Sequence, residues 1–182
     1  MSSSPEQKKR RKFWQLGGRV QKTVAAVFLS LLTDSLRPGG MPFYAAITAI
    51  LCVQPKARDS VDVAANREVA TICGGAAGMG FLFLERAFPS PLPDVLRYAL
   101  VAAAVIPLIS LSVWLERPKA TFLTCVVFLS VVVTHSGDVH PFFFPLNRVL
   151  DTTIGIIIAL AVNLLPGKFR KGRQKPADED PL

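Results

Sequence analysis

Asn147-Arg148-Val149-Leu150-Asp151-Thr152-Thr153-Ile154-Gly155 places an amide, a guanidinium, a carboxylate and two hydroxyls at the head of a segment that carries no further charge through Leu165. Asn66-Arg67-Glu68-Val69-Ala70-Thr71-Ile72-Cys73-Gly74 repeats the pattern Asn-Arg-x-(Val/Leu)-x-Thr-x-x-Gly 81 residues upstream. In a helix the Arg, Thr and Gly of each copy fall at i, i+4 and i+7, so each copy presents on one face a cation, a hydroxyl and a gap for close packing. Such a face suits an organic anion: arginine pairs with carboxylates through two parallel N–H bonds, and a helix N-terminus adds partial positive charge. The candidate substrate contacts are therefore Asn66, Arg67, Thr71, Asn147, Arg148, Asp151 and Thr152. Five of them also have a plainer reading. Arg67 reads equally as an anchor on the cytoplasmic side, and Arg148 as a snorkelling cation paired with Asp151 at i, i+3. Asp151 is a candidate proton-coupling carboxylate, or a wet residue favoured by the helix dipole. Thr71 and Thr152 can bond their own backbone, and Asn163 reads as glue between helices.

No nucleophile, base and orienting acid converge in the sequence, and no glycine loop follows a strand to cradle phosphate, so an enzyme is not expected. His135, Asp138 and His140 resemble metal ligands, but three donors around Gly137 without a scaffold do not make a site, and neither metal nor cofactor is expected. Cys52, Cys73 and Cys125 each lie in an apolar segment without paired spacing and are expected to be packing residues.

The elements that must position these groups are membrane helices. Hydrophobic residues make up 51% of the 182-residue chain and the mean hydropathy is +0.39, too apolar for an ordinary soluble domain. Tyr98 to Leu115 is an uncharged run of 18 residues, and Thr152 to Pro166 one of 15. The net charge of +8 gathers at the ends, in Lys8 to Lys12 and Lys168 to Lys175, where it faces anionic lipid; no nucleic-acid partner is expected. The apolar stretch after Lys22 is interrupted by Asp34 with no cleavage site behind it, so the first helix is expected to remain as an anchor.

Six apolar blocks follow in order. Residues 1–12 form a basic tail expected to be disordered, 13–166 the transmembrane domain, and 167–182 a charged tail also expected to be disordered. The first helix has an apolar heart from Thr23 to Thr33 and crosses if Arg19 and Lys22 snorkel; Arg37-Pro38-Gly39-Gly40 ends it. The second block, Phe43 to Gln54, lies between Pro42 and Pro55 and is about 18 Å long as a helix, against about 30 Å of hydrocarbon. The third helix starts near a cap at Asp59 or Ser60, putting Arg67 two turns inside it. The fourth block, Tyr98 to Leu115, carries Pro107. The fifth, Ala120 to Thr134, is rich in Val and Thr yet must be a helix, since a lone strand in lipid leaves its backbone unsatisfied. The sixth helix runs from Asn147 to Leu165.

Both ends are basic, which favours an even number of crossings. With six, 17 of the 21 Lys and Arg fall on the cytoplasmic side with both termini. A four-crossing arrangement, with blocks two and five re-entrant, also keeps both ends inside. Six crossings make helices 1–3 and 4–6 two units of opposite orientation, as in transporters that build anion sites between inverted repeats. The expected architecture is an all-α integral membrane protein: a six-helix bundle of two inverted three-helix repeats with short or broken helices 2 and 5.

Pro42-Phe43-Tyr44-Ala45-Ala46-Ile47-Thr48-Ala49-Ile50-Leu51-Cys52-Val53-Gln54-Pro55, together with both Asn-Arg segments and Asn163-Leu164-Leu165, resembles the aromatic acid exporter family, related to fusaric acid resistance proteins. The resemblance covers roughly residues 18–166. It implies a multi-pass exporter of aromatic or other organic carboxylates in the plasma membrane. Many members carry a cytoplasmic domain or second membrane half not found in this sequence, and a homodimer is the expected way to complete a pathway. The alternatives are an anion channel and a structural membrane subunit that transports nothing.

Overall fold

A computed structural model describes residues 18–87, 93–134 and 142–165, and these are helical throughout apart from turns. Among the described residues the six α-helices are α1 (Gly18–Ser35), α2 (Pro42–Cys52), α3 (Ala57–Arg86), α4 (Asp94–Trp114), α5 (Thr121–Thr134) and α6 (Phe143–Leu164), with a 3-10 turn, Pro118–Ala120, leading into α5. By length and composition α3, α4 and α6 are able to cross a membrane, while α2 and the segment Pro118–Thr134 are shorter apolar helices. The Val- and Thr-rich fifth block is helical, as backbone satisfaction in lipid requires. The basic tails and the His135 to His140 loop lie outside the described residues.

Two helix starts differ from expectation. α3 begins at Ala57 behind Lys56, with no side-chain cap; Asp59 lies in the first turn and Ser60 is buried. Arg67 therefore sits nearly three turns inside its helix rather than two. α6 begins at Phe143 rather than Asn147. Pro145 does not block this early start, because first-turn amides have no partner within the helix and a proline there forfeits nothing. Arg148 consequently stands beyond the first turn, outside the set of free N–H groups that make a helix N-terminus an anion site.

Helix directions follow from side-chain contacts. Along α3 and α6, Asn163 Nδ2 donates to Ser60 Oγ at 2.8 Å, Thr153 Oγ1 to Glu68 Oε1 at 2.8 Å, and a Cβ on Gly75 would lie 3.5 Å from Pro145, so the two helices are antiparallel. α1 is also antiparallel to α6, since Lys22 reaches the Asn163 carbonyl while Arg37, just past its end, reaches Asn147. α2 is parallel to α6, with Tyr44 at Arg148 and Gln54 at Asn163. α5 is parallel to α3, because Gly74 meets Thr124 and Gly78 meets Val131. α4 is antiparallel to α5: Arg97, near its start, bonds the Val132 carbonyl near the end of α5. The six helices alternate in direction. The four-crossing arrangement requires α3 and α6 to be parallel and is therefore incorrect.

The alternation makes the halves α1–α3 and α4–α6 inverted copies, and their joints correspond. Gly155 of α6 lies so close to α2 that a Cβ would stand 2.5 Å from the Ala45 carbonyl and 2.8 Å from Thr48 Cβ. Gly74 of α3 does the same against α5, with the Thr124 carbonyl at 2.5 Å and Val127 Cβ at 2.9 Å. Each Asn-Arg helix thus packs its glycine against the short helix of the other half. Within lipid there is no hydrophobic gain from bringing helices together, so small residues that admit a neighbouring backbone are the means of association. The connectors match as well. Arg37, in Arg37-Pro38 after α1, donates to Asn147 at 2.9 Å, and Arg117, in Arg117-Pro118 after α4, donates to Asn66 at 3.4 Å.

Three apolar clusters hold the bundle, one of them made by Leu82 of α3, Val131 of α5 and Phe144 of α6. Ala26, Ala49, Cys52, Ala64, Ala159 and Val162 join α1, α2, α3 and α6, and Val101, Leu108, Phe128 and Val132 join α4 to α5. Cys52 is buried and all three cysteines are free, as packing residues would be.

Candidate functional site

α2 is the shortest of the six helices, and its Tyr44–Thr48 turn receives both arginines. Arg67 Nε, from α3, donates to Thr48 Oγ1 at 2.7 Å. The Arg148 guanidinium, from α6, lies over the Tyr44 ring at 4.1 Å from its centroid, with the Phe144 ring at 5.9 Å. Its Nη1 donates to Ser130 Oγ of α5 at 2.8 Å. Each arginine thus bonds a hydroxyl on the short helix of its own half. The antiparallel register places them about 9 Å apart along the bundle axis, close enough for their charges to repel.

Both side chains are buried, Arg67 at 7% exposure and Arg148 at 6%. Among the described residues the ion pairs are Arg37 with Asp34, Arg37 with Asp151, and Arg97 with Glu85; neither Arg67 nor Arg148 forms one. A guanidinium has five N–H donors in a fixed fork, and one hydroxyl apiece occupies few of them. Removing a cation from water costs several kcal/mol, by the usual estimate of about that size, unless a counter-charge answers it. Two such cations at one turn of a helix have the chemistry to pair with an anion carrying a planar acceptor, and the Tyr44 and Phe144 rings lie beside Arg148.

The residues singled out in the sequence do not all meet here. Thr71 is buried and bonds the Arg67 carbonyl of its own helix at 2.9 Å, and Thr152 is buried one turn beyond Arg148. Asn66 faces Arg117 at an exposed edge, away from the pair. Asn147 and Asp151 belong to a second cluster, where Arg37 binds the carboxylates of Asp34 and Asp151 together with the Asn147 amide oxygen. Asp151 is thus paired with Arg37 from the connector after α1 and not with Arg148. Asn163 donates to the Gln54 carbonyl at 3.0 Å and to Ser60, tying α6 to the α2–α3 corner as interhelical glue. Tyr44, Thr48, Ser130, Asp34 and Arg37 were not among the expected contacts. Tyr44 and Thr48 stand inside the Pro42-to-Pro55 segment, and Asp34 was visible as the one acid interrupting the first apolar run. Ser130 carried no signal beyond a hydroxyl in an apolar block. Among the described residues no group of His, Cys, Asp and Glu is arranged to hold a metal ion.

The family model described as aromatic acid exporter family member 1 matches residues 14–165. A UPF0421 protein of Bacillus cereus (strain ATCC 10987 / NRS 248) is 34% identical over 166 residues, covering 88% of this chain and 42% of its own length. A UPF0421 protein of Oceanobacillus iheyensis is 32% identical, covering 87% of this chain and 43% of its own length. The chain therefore spans about two fifths of the length of the curated relatives it matches. No solved structure matches it.

Proposed function

The chain belongs to the aromatic acid exporter family, a family of membrane transporters, and on that premise we propose that it moves aromatic or other organic carboxylates out of the cell through a path lined by Arg67 and Arg148. The observation that carries this reading is the pair of buried arginines at one turn of α2 with no carboxylate partner among the described residues. An anchoring arginine is expected to reach the headgroups, whereas these two are turned inward onto Thr48, Tyr44 and Ser130. The carboxylate pairs with the guanidinium groups, and an aromatic body stacks near Tyr44 and Phe144. The bias of basic residues assigns both chain ends to the cytoplasmic face of the plasma membrane, so that α3 leads outward and α6 back.

The experiment is flux. Proteoliposomes containing only the purified chain, loaded with labelled benzoate, release it faster than protein-free vesicles, and excess unlabelled benzoate competes. Release equal to that of protein-free vesicles, from correctly inserted protein, leaves the structural-subunit reading in its place.

A further inference from the structure

Asp34 and Asp151 are both fully buried, each at 0% exposure. One comes from the last turn of α1 and the other from α6, and the Oδ1 atoms of both meet the same guanidinium nitrogen, Nη2 of Arg37. A single cation serves both. Arg37 Nη2 contacts Asp34 Oδ1 at 3.1 Å and also Asp151 Oδ1, while Nη1 is taken by Asn147. The second oxygen of each carboxyl, Asp34 Oδ2 and Asp151 Oδ2, is buried without a hydrogen-bond donor.

Two facts set this cluster apart from a structural ion pair. The first is charge: two carboxylates against one guanidinium leave a net negative charge out of reach of water, and each carboxyl keeps one buried acceptor without a partner. Like charges in one site do not both ionise readily. The second is the comparison within the molecule. The corresponding joint of the other half, Arg117 to Asn66, has Ala70 in the place of Asp151 and Trp114 in the place of Asp34. That joint forms without either acid, so the fold does not require them.

From these observations we infer that Asp34 and Asp151 form a proton-binding site that holds one exchangeable proton between their two carboxyl groups. The proton, on Oδ2 of one residue, donates to Oδ2 of the other, satisfies both orphaned acceptors and leaves one carboxylate opposite Arg37. No other bond forms or breaks. Arg148 attracts Asp151 electrostatically but forms no ion pair with it, and Arg37 is the cation in direct contact with the two acids among the described residues. The connector after α1 brings Arg37 and the Met41 N–H, and α6 brings Asn147 and, one turn from the acids, Arg148. Tyr44 of α2 lies beneath Arg148, Glu68 of α3 accepts from Thr153, and Arg67 is bound to Thr48. Lys22 of α1 is occupied at the far end by the Asn163 carbonyl. The site stands whether or not Arg67 and Arg148 bind an anion, because it rests on a different cluster.

Infrared difference spectroscopy of the full chain in lipid, titrated between about pH 5 and 9, tests this without any transport measurement. The expected result is one protonated-carboxyl C=O band per chain that shifts in D2O and bleaches as the pH rises. Asp34→Asn and Asp151→Asn each abolish it, because either leaves one carboxylate paired one-to-one with Arg37. Asp34→Glu and Asp151→Glu move the band without removing it, which keeps the test sound if the asparagine variants misfold. No band in the wild type at any pH overturns the proposal, as does a band that survives both asparagine substitutions. Bleaching by added sodium at constant pH also overturns it, by showing a site for a metal cation.

Discussion

Arg37 donates from Nη1 to Asn147 Oδ1 at 2.9 Å, tying the end of α1 in the first half of the chain to the head of α6 in the second. Arg117 makes the inverted counterpart to Asn66 at 3.4 Å. Two joints related by the same internal symmetry carry different loads. Arg37 is also the one cation for two buried carboxyls, whereas Arg117 is exposed and has only the amide.

That difference is measurable. Arg37→Gln leaves buried acids without their cation and is expected to cost roughly 3–5 kcal/mol, the range for breaking a buried pair. Replacing both Asp34 and Asp151 by Asn in that background recovers most of the loss. Arg117→Gln leaves Tm within error, as exposed substitutions usually do. Thermal unfolding in detergent compares the three, and equal losses for Arg37→Gln and Arg117→Gln refute the asymmetry.

The two close helix contacts make a second prediction. An added methyl at Gly74 or Gly155 meets a backbone carbonyl at 2.5 Å, where no rotamer change relieves it, so the backbones must part. Gly74→Ala and Gly155→Ala are each expected to destabilise by about 1–3 kcal/mol. A Cβ at Gly80 meets nothing within 4 Å, and Gly80→Ala should be neutral or gain up to about 1 kcal/mol from helix propensity. The same melting experiment separates them, and a stable Gly155→Ala protein contradicts the packing described.

Helix direction predicts which connectors face which side. In a background lacking Cys52, Cys73 and Cys125, single cysteines replacing Leu36 and Phe142 should label from outside the cell, and those replacing Ala57 and Lys119 only after permeabilisation. Labelling of the Ala57 and Lys119 positions from outside would restore the four-crossing arrangement that the antiparallel α3 and α6 exclude.

How much of this was legible beforehand differs between elements. The two Asn-Arg segments and the proline-bounded second block stood out because charge and proline are rare within apolar sequence, and six blocks implied six helices. The start of α6 was less visible, since Pro145 looks like a barrier until it falls in a first turn, where it costs nothing. The Arg37-Pro38 and Arg117-Pro118 correspondence is two residues long, too short to rise above chance without the contacts each arginine makes. Asp34 read as an interruption of the first helix; only the folding of α1 against α6 turns it into the partner of Asp151.

Tyr44 supplies a prediction about the body of the substrate. Its ring lies under Arg148 at 4.1 Å, a contact of about 0.5–2 kcal/mol by the usual range for cation–π pairs. Tyr44→Phe should leave benzoate affinity little changed, whereas Tyr44→Leu should weaken it by roughly twofold to thirtyfold, on the same energy range. An aliphatic carboxylate should lose less than benzoate does in Tyr44→Leu, and equal losses would place the aromatic body elsewhere.

The central claim is that Arg148 and Arg67 together hold the carboxylate, and benzoate affinity measured from flux per correctly inserted protein tests it most directly. A charge-assisted contact is worth about 1.5–3 kcal/mol, so Arg148→Gln and Arg67→Gln should each weaken apparent affinity roughly tenfold to more than a hundredfold. Arg148→Lys should recover only part of the loss, because an ammonium cannot present the two parallel donors of a guanidinium. Equal affinity in wild type, Arg148→Lys and Arg148→Gln would contradict the account and return both arginines to a purely structural role.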